Sequence, residues 1–170
     1  MIGHYVRRFF TSLSRRPPTA EDERWVEALV TPEEWELFRR LSDTDRRHLV
    51  HSARMVTRID PTMDPYWCRV AVLHDVGKYH AQLGVVGRVA ATVLATGLGS
   101  ARMNDWADRS GWRGQVGRYH RHGEIGADEI RAAGGLEDAA VWSEIHHYPD
   151  RFDRSTISAP VLAVLDAADH

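Results

Sequence analysis

The chain has 170 residues, 43% of them hydrophobic and 27% charged, with a formal net charge of −2. That balance fits one soluble globular domain with a real core, and it excludes a chain whose overall charge would hold it to nucleic acid. The single cysteine, Cys68, excludes an internal disulfide and a thiolate-based zinc site, while ten histidines and six tryptophans stand out for this length.

The N-terminus is basic and aromatic, with Tyr5, Arg7, Arg8, Phe9, Phe10, Arg15 and Arg16, and it lacks the apolar core of a secretory signal. Residues 1–18 read as an arm that ends at Pro17-Pro18, and 19–170 as one helical domain. The plain reading of the arm is packing on the domain. The alternative is a short amphipathic helix touching anionic lipid. The expected compartment is the cytoplasm.

Thr19 is placed to cap a helix through Trp25 and Leu29. Thr31-Pro32-Glu33-Glu34 combines a capping box with proline at the first helical position, ahead of Trp35, Leu37, Phe38 and Leu41. Ser42 and Asp45 open the next helix, which runs to about Ile59 and stops at Asp60-Pro61. Asp64-Pro65 starts another that runs into His74-Asp75. Gly77 is expected to end it in a left-handed conformation, returning Lys78 over the His-Asp pair.

Gly84 to Leu98 reads as a buried or partly exposed core helix, too short and too interrupted by Arg88 and glycines to span a bilayer. Gly99 to Gly117 holds one or two short helices. Further helices are expected from about Glu124 to Ala133, stopping at Gly134-Gly135, and from Leu136 to His147. A loop rich in Asp, Arg and Ser then leads to a last helix from Ala159 or Pro160. No segment alternates like a strand, so the fold class is all-α, a bundle of about eight helices.

Ligand-type residues recur along this framework. Imidazole and carboxylate side by side at His74-Asp75, just past an apolar run, suit a borderline divalent ion. In the helix after Ser42, Leu49, Ala53, Val56 and Ile59 mark the inward face; His48 borders it, and His51 points toward Arg54 and Arg58. His48 is therefore preferred over His51. In the last helix Val161, Leu162, Leu165 and Ala168 point inward, which favours Asp169 over Asp166. His146-His147 lie together at a helix end, and His122 opens a helix while His120 points elsewhere. One isolated histidine is ordinarily a surface or core residue; the ordered set is what points to metal.

These residues resemble the HD-domain superfamily of metal-dependent phosphohydrolases, over about Ser42 to the C-terminus. The most specific pieces are Leu73-His74-Asp75-Val76-Gly77-Lys78, His146-His147 and Leu165-Asp166-Ala167-Ala168-Asp169. The resemblance implies that His48, His74, Asp75 and Asp169 bind one metal. It implies that His122, His146 and His147 bind a second, with Asp75 bridging and Lys78 contacting phosphate. The chain reads Tyr148-Pro149-Asp150 where the cyclic-dinucleotide branch carries Gly-Tyr-Pro, so that substrate is not implied.

What the resemblance implies is hydrolysis of a small phosphoester, such as a nucleotide, with one or two Fe, Mn, Zn, Co or Ni ions. Asp75 and Lys78 are then the catalytic residues, and Arg151 and Arg154 are candidate substrate contacts. Two alternatives stand beside it: a one-metal nucleotidase whose extra histidines touch substrate, and a non-catalytic metal- and nucleotide-binding regulatory module.

Overall fold

The computed structural model describes residues 17–170. The arm's first sixteen residues, and the lipid contact considered for them, lie outside the described residues. Those described form ten α-helices and two 3-10 helices, with no strand among them.

The first helices begin where their caps dictate. Thr19 caps α1 (Ala20–Glu27) through a capping box with Asp22, and Thr31 caps α2 (Pro32–Arg39) through one with Glu34. The Ser42 hydroxyl accepts from Asp45 N–H to start α3 (Asp43–Ile59), and Asp64 caps α4 (Pro65–Leu73) with proline at its start. The segment expected to hold one or two helices divides into α6 (Ser100–Ala107) and α7 (Gly111–His120), after α5 (Val85–Leu98). Then come α8 (His122–Ala132), α9 (Glu137–Ile145) and α10 (Ala159–Asp169).

Two hydrophobic clusters organise these helices. The main core joins Phe38, Leu49, Leu73, Ile130, Trp142, Leu162 and Leu165, drawn from α2, α3, α4, α8, α9 and α10. A smaller cluster of Ala81, Leu83, Ala91, Met103 and Val116 gathers α5, α6 and α7. Within α5 the solvent-facing valines are prominent, Val86 being 83% and Val93 65% exposed. This is the partly exposed form of the helix expected there. No single helix among the described residues is long and apolar enough to cross a membrane.

Several local expectations are corrected by packing. Gly77 does not end a helix in a left-handed conformation: the chain past Asp75 continues as a 3-10 helix, Val76–Ala81, and the left-handed residue is Gln82, at φ 49°. Gly77 is required for a different reason. A Cβ there would lie 2.0 Å from the His122 carbonyl oxygen and 2.6 Å from Gly126 N, so only glycine lets α8 approach this segment. Ile59 is not on the inward face but 40% exposed, because α3 runs past the core at its last residue. The Asp- and Arg-rich stretch after His147 is not all loop; Pro149–Arg154 forms a second 3-10 helix.

Candidate metal centre

Most of the ligand-type residues sit at helix ends. His74 is the C-cap of α4 and Asp75 follows it; His122 is the first residue of α8; His146 is the C-cap of α9; Asp169 is the last residue of α10. His48 alone comes from mid-helix, in α3. The apolar residues that precede His74, His146 and Asp169 carry these ends inward, so that His74 is 0% and Asp75 1% exposed, with His122, His146 and Asp169 also buried. The Ser143 hydroxyl, one turn before His146, donates to the carbonyls of His74 (2.7 Å) and Gly123 (3.0 Å). It thereby ties α4, α8 and α9 together at the site.

Two groups of donor atoms converge there. One is His48, His74 and Asp169; the other is Asp75, His122, His146 and His147. In the first, Asp169 Oδ1 lies 2.9 Å from His48 Nε2 and 3.1 Å from His74 Nε2. The Asp75 carboxylate lies between the groups. Its Oδ2 is 3.5 Å from His74 Nε2 and 3.7 Å from His48 Nε2, and its Oδ1 is 3.0 Å from His122 Nε2 and 3.5 Å from His146 Nε2. One side chain thus turns one oxygen to each group.

The hydrogen bonds fix which nitrogen of each ring is available. Nδ1 of His74 donates to the Ala71 carbonyl at 2.7 Å, that of His122 to Tyr119 at 2.6 Å, and that of His146 to Ser143 at 2.7 Å. With the proton held on Nδ1, the neutral ring keeps its lone pair on Nε2. Nε2 of all three, together with Asp75 Oδ1, is buried and makes no hydrogen bond to any described residue. Orphaned buried acceptors are costly, each about 1–3 kcal/mol. Several aimed at one small volume are what a divalent cation satisfies. Imidazole and carboxylate donors without thiolate suit Mn, Fe, Co, Ni or Zn.

Burial raises the Asp75 carboxyl, but the Lys78 ammonium and His74 outweigh it and hold Asp75 well below the usual carboxylate range. Burial lowers His74, yet Asp75 and Asp169 more than reverse this and its imidazole ends above its ordinary value. In His48, burial prevails over the same two carboxylates and the ring is pushed down. Burial, with His74 and His122 nearby, drives His146 down to about 4. Lys78 pairs with Asp75 Oδ2, and its side chain is 10% exposed. Burial lowers its ammonium, but Asp75, Tyr119 and Asp45 leave it above the ordinary lysine value.

The solvent side of the second group is formed by His147, whose ring centre lies 3.9 Å from that of His146 and 5.0 Å from that of His122. A small pocket opens there between His120, Arg121, Glu124, Glu144, His147 and Tyr148. Arg151 stacks on Tyr148, its guanidinium carbon 4.1 Å from the ring centre, whereas Arg154 is simply exposed in the second 3-10 helix. Behind the site, the buried Trp142 lies 5.9 Å from His146 and 5.8 Å from Phe152, ring to ring.

The residues left aside in the choice of ligands lie elsewhere. His51 is exposed, and Asp166 faces His170 at 3.5 Å. His120 lines the pocket without joining either donor group. Ser143, Tyr119, Asp45 and Arg88 border the site without having been singled out in the sequence. Asp45 reads there only as the partner of Ser42. No protein-family model, curated protein or solved structure matches the chain.

Proposed function

We propose that this chain is a metal-dependent phosphohydrolase of the HD-domain type. The observation that carries the reading is the Asp75 carboxylate, with one oxygen toward each of two imidazole groups whose Nε2 atoms are largely orphaned. The all-helical fold and the order His48, His74-Asp75, His122, His146-His147, Asp169 support it. His48, His74, Asp75 and Asp169 would hold one ion, and Asp75, His122, His146 and His147 a second. Divalent ions held there supply Lewis acidity toward a phosphoryl oxygen and a water molecule.

The chain's own groups have separable tasks. The backbone bonds at Nδ1 hold the three buried rings in one tautomer and one orientation. Asp75, kept ionised by Lys78 and His74, supplies the negative charge that balances the cations. The Lys78 ammonium, already beside Oδ2, is placed to offset charge on the oxygens of a phosphoryl group. The buried surroundings exclude bulk water, which strengthens each of these interactions. The partner on this reading is a small phosphoester, a nucleotide being the leading class, with Arg151 on the rim as a contact for it.

The direct test is a panel of phosphomonoesters, phosphodiesters and nucleotides incubated with the protein and Mn²⁺, with and without EDTA. Metal-dependent release of phosphate or alcohol from at least one class is expected. A fully metal-loaded protein that turns over nothing on the panel would instead favour the regulatory module.

A further inference from the structure

Three residues outside the ligand groups each lie one helical turn from a ligand-type residue. Asp45 precedes His48 by three positions, Tyr119 precedes His122 by three, and Lys78 follows Asp75 by three. Arg88, projecting from α5, meets this set. Its Nη2 donates to Asp45 Oδ2 at 2.7 Å, its Nη1 pairs with Asp45 Oδ1, and its Nε donates to the Leu83 carbonyl at 2.9 Å. Its guanidinium carbon lies 6.0 Å from the centre of the Tyr119 ring, and that ring stacks on His122 at 5.5 Å. Arg88 therefore binds Asp45 on the His48 side and approaches Tyr119 on the His122 side.

Lys78 and Arg88 share two carboxylate neighbours. Asp75 and Asp45 act on Lys78, and the same two act on Arg88. Lys78 thus pairs with Asp75 and Arg88 with Asp45, and Arg88 keeps 20% of its side chain open to solvent. Its three bonds leave further donors on the guanidinium unused. A structural ion pair would tie α5 to α3 equally well. It would not require the approach to Tyr119, nor the unused guanidinium donors.

We propose that Arg88 and Lys78 form an anion subsite that takes a second phosphoryl group of the substrate, with Asp45 holding the Arg88 fork in place until that group arrives. The proposal rests on the phosphohydrolase reading and narrows it to substrates bearing a diphosphate or longer chain. The guanidinium suits two oxygens of one phosphoryl group, and the ammonium acts as a point charge on the group nearer Asp75. Asp45 is the competitor: its carboxylate occupies the geometry that a phosphate would take.

The experiment is calorimetric titration of the Mn²⁺-loaded protein with orthophosphate and with pyrophosphate. Enough free Mn²⁺ is supplied to keep the centre loaded, as checked by metal analysis. The wild type should prefer pyrophosphate by about tenfold or more. Arg88→Gln should abolish most of that preference while leaving orthophosphate affinity and metal content unchanged. Asp45→Asn, which frees the fork, should strengthen pyrophosphate binding. A purely structural ion pair would lower the thermal midpoint in both variants and leave the preference intact, which overturns the proposal, as does equal loss of both anions. If Arg88→Gln does not fold, Asp45→Asn alone decides, by a gain in pyrophosphate affinity or its lack. An Arg88-dependent preference without turnover on the phosphoester panel counts against the phosphohydrolase and not the subsite. Turnover without that preference does the reverse.

Discussion

The two halves of the donor cluster are built from the same residue types and differ in where their carboxylates lie. In the half formed by His48, His74 and Asp169, a carboxylate oxygen already faces both imidazoles at 2.9 and 3.1 Å. Its His74 is held above the ordinary imidazole value, so a proton occupies that ring readily. In the half formed by His122, His146 and His147, the only carboxylate is the shared Asp75, and His146 is pushed down to about 4. One half has a carboxylate of its own beside both imidazoles; the other shares Asp75 and includes His146, an imidazole that resists protonation. The difference follows from where the acids lie. Asp169 belongs to the first half alone, and its negative charge favours a proton on His74 there.

The most severe way to break the comparison is to remove what the halves share. Asp75→Asn keeps the side-chain volume but removes the charge that faces both groups. Metal analysis should find both ions lost, and any metal-dependent hydrolysis should fall by more than about 100-fold, since even outer-sphere partners of metal ligands typically contribute 10–100-fold. Retention of a full complement of metal would show that the halves are independent.

A smaller effect is expected from removing one half only. Replacing His146 and His147 together by alanine takes away two imidazoles of the second group and leaves His48, His74 and Asp169 in place. The expected stoichiometry falls from two ions to one. A wild-type value of one at saturating metal, unchanged in the double variant, would mean that these histidines serve the substrate instead.

The mildest test uses pH. In the first half an incoming ion must displace the proton that Asp75 and Asp169 favour on His74. Its affinity should therefore weaken as pH falls below the raised His74 value, by about tenfold per pH unit. In the second half His146 stays unprotonated until about pH 4, so no such penalty arises from it at pH 5.5. Metal content measured after equilibration at pH 7.5 and 5.5 should show the first half emptying before the second. Simultaneous loss would erase the distinction drawn here.

Much of the fold was legible because its signals are local. The caps at Thr19, Thr31, Ser42 and Asp64 involve partners two or three residues away, and those four helices start where they were placed. The position of His48 against His51 follows from the apolar face of a single helix, where Leu49, Ala53 and Val56 are all fully buried. What escaped was non-local. Gly77 looks like a helix terminator in its own neighbourhood, and only the arrival of His122 and Gly126 explains it. The Arg88–Asp45 pair joins residues 43 positions apart. Its acid already has a sufficient local role with Ser42, so nothing in the sequence asks for a second partner.

The placement of Trp142 gives the centre a built-in optical probe. The indole is buried, keeps Nε1 without a hydrogen bond to any described residue, and lies against the His146 ring on one side and Phe152 on the other. With the rings 5.9 Å apart, its emission is expected to respond to the charge on that imidazole. A divalent ion added to the unlabelled protein should then change its fluorescence, with Trp142→Phe separating this signal from that of the remaining tryptophans.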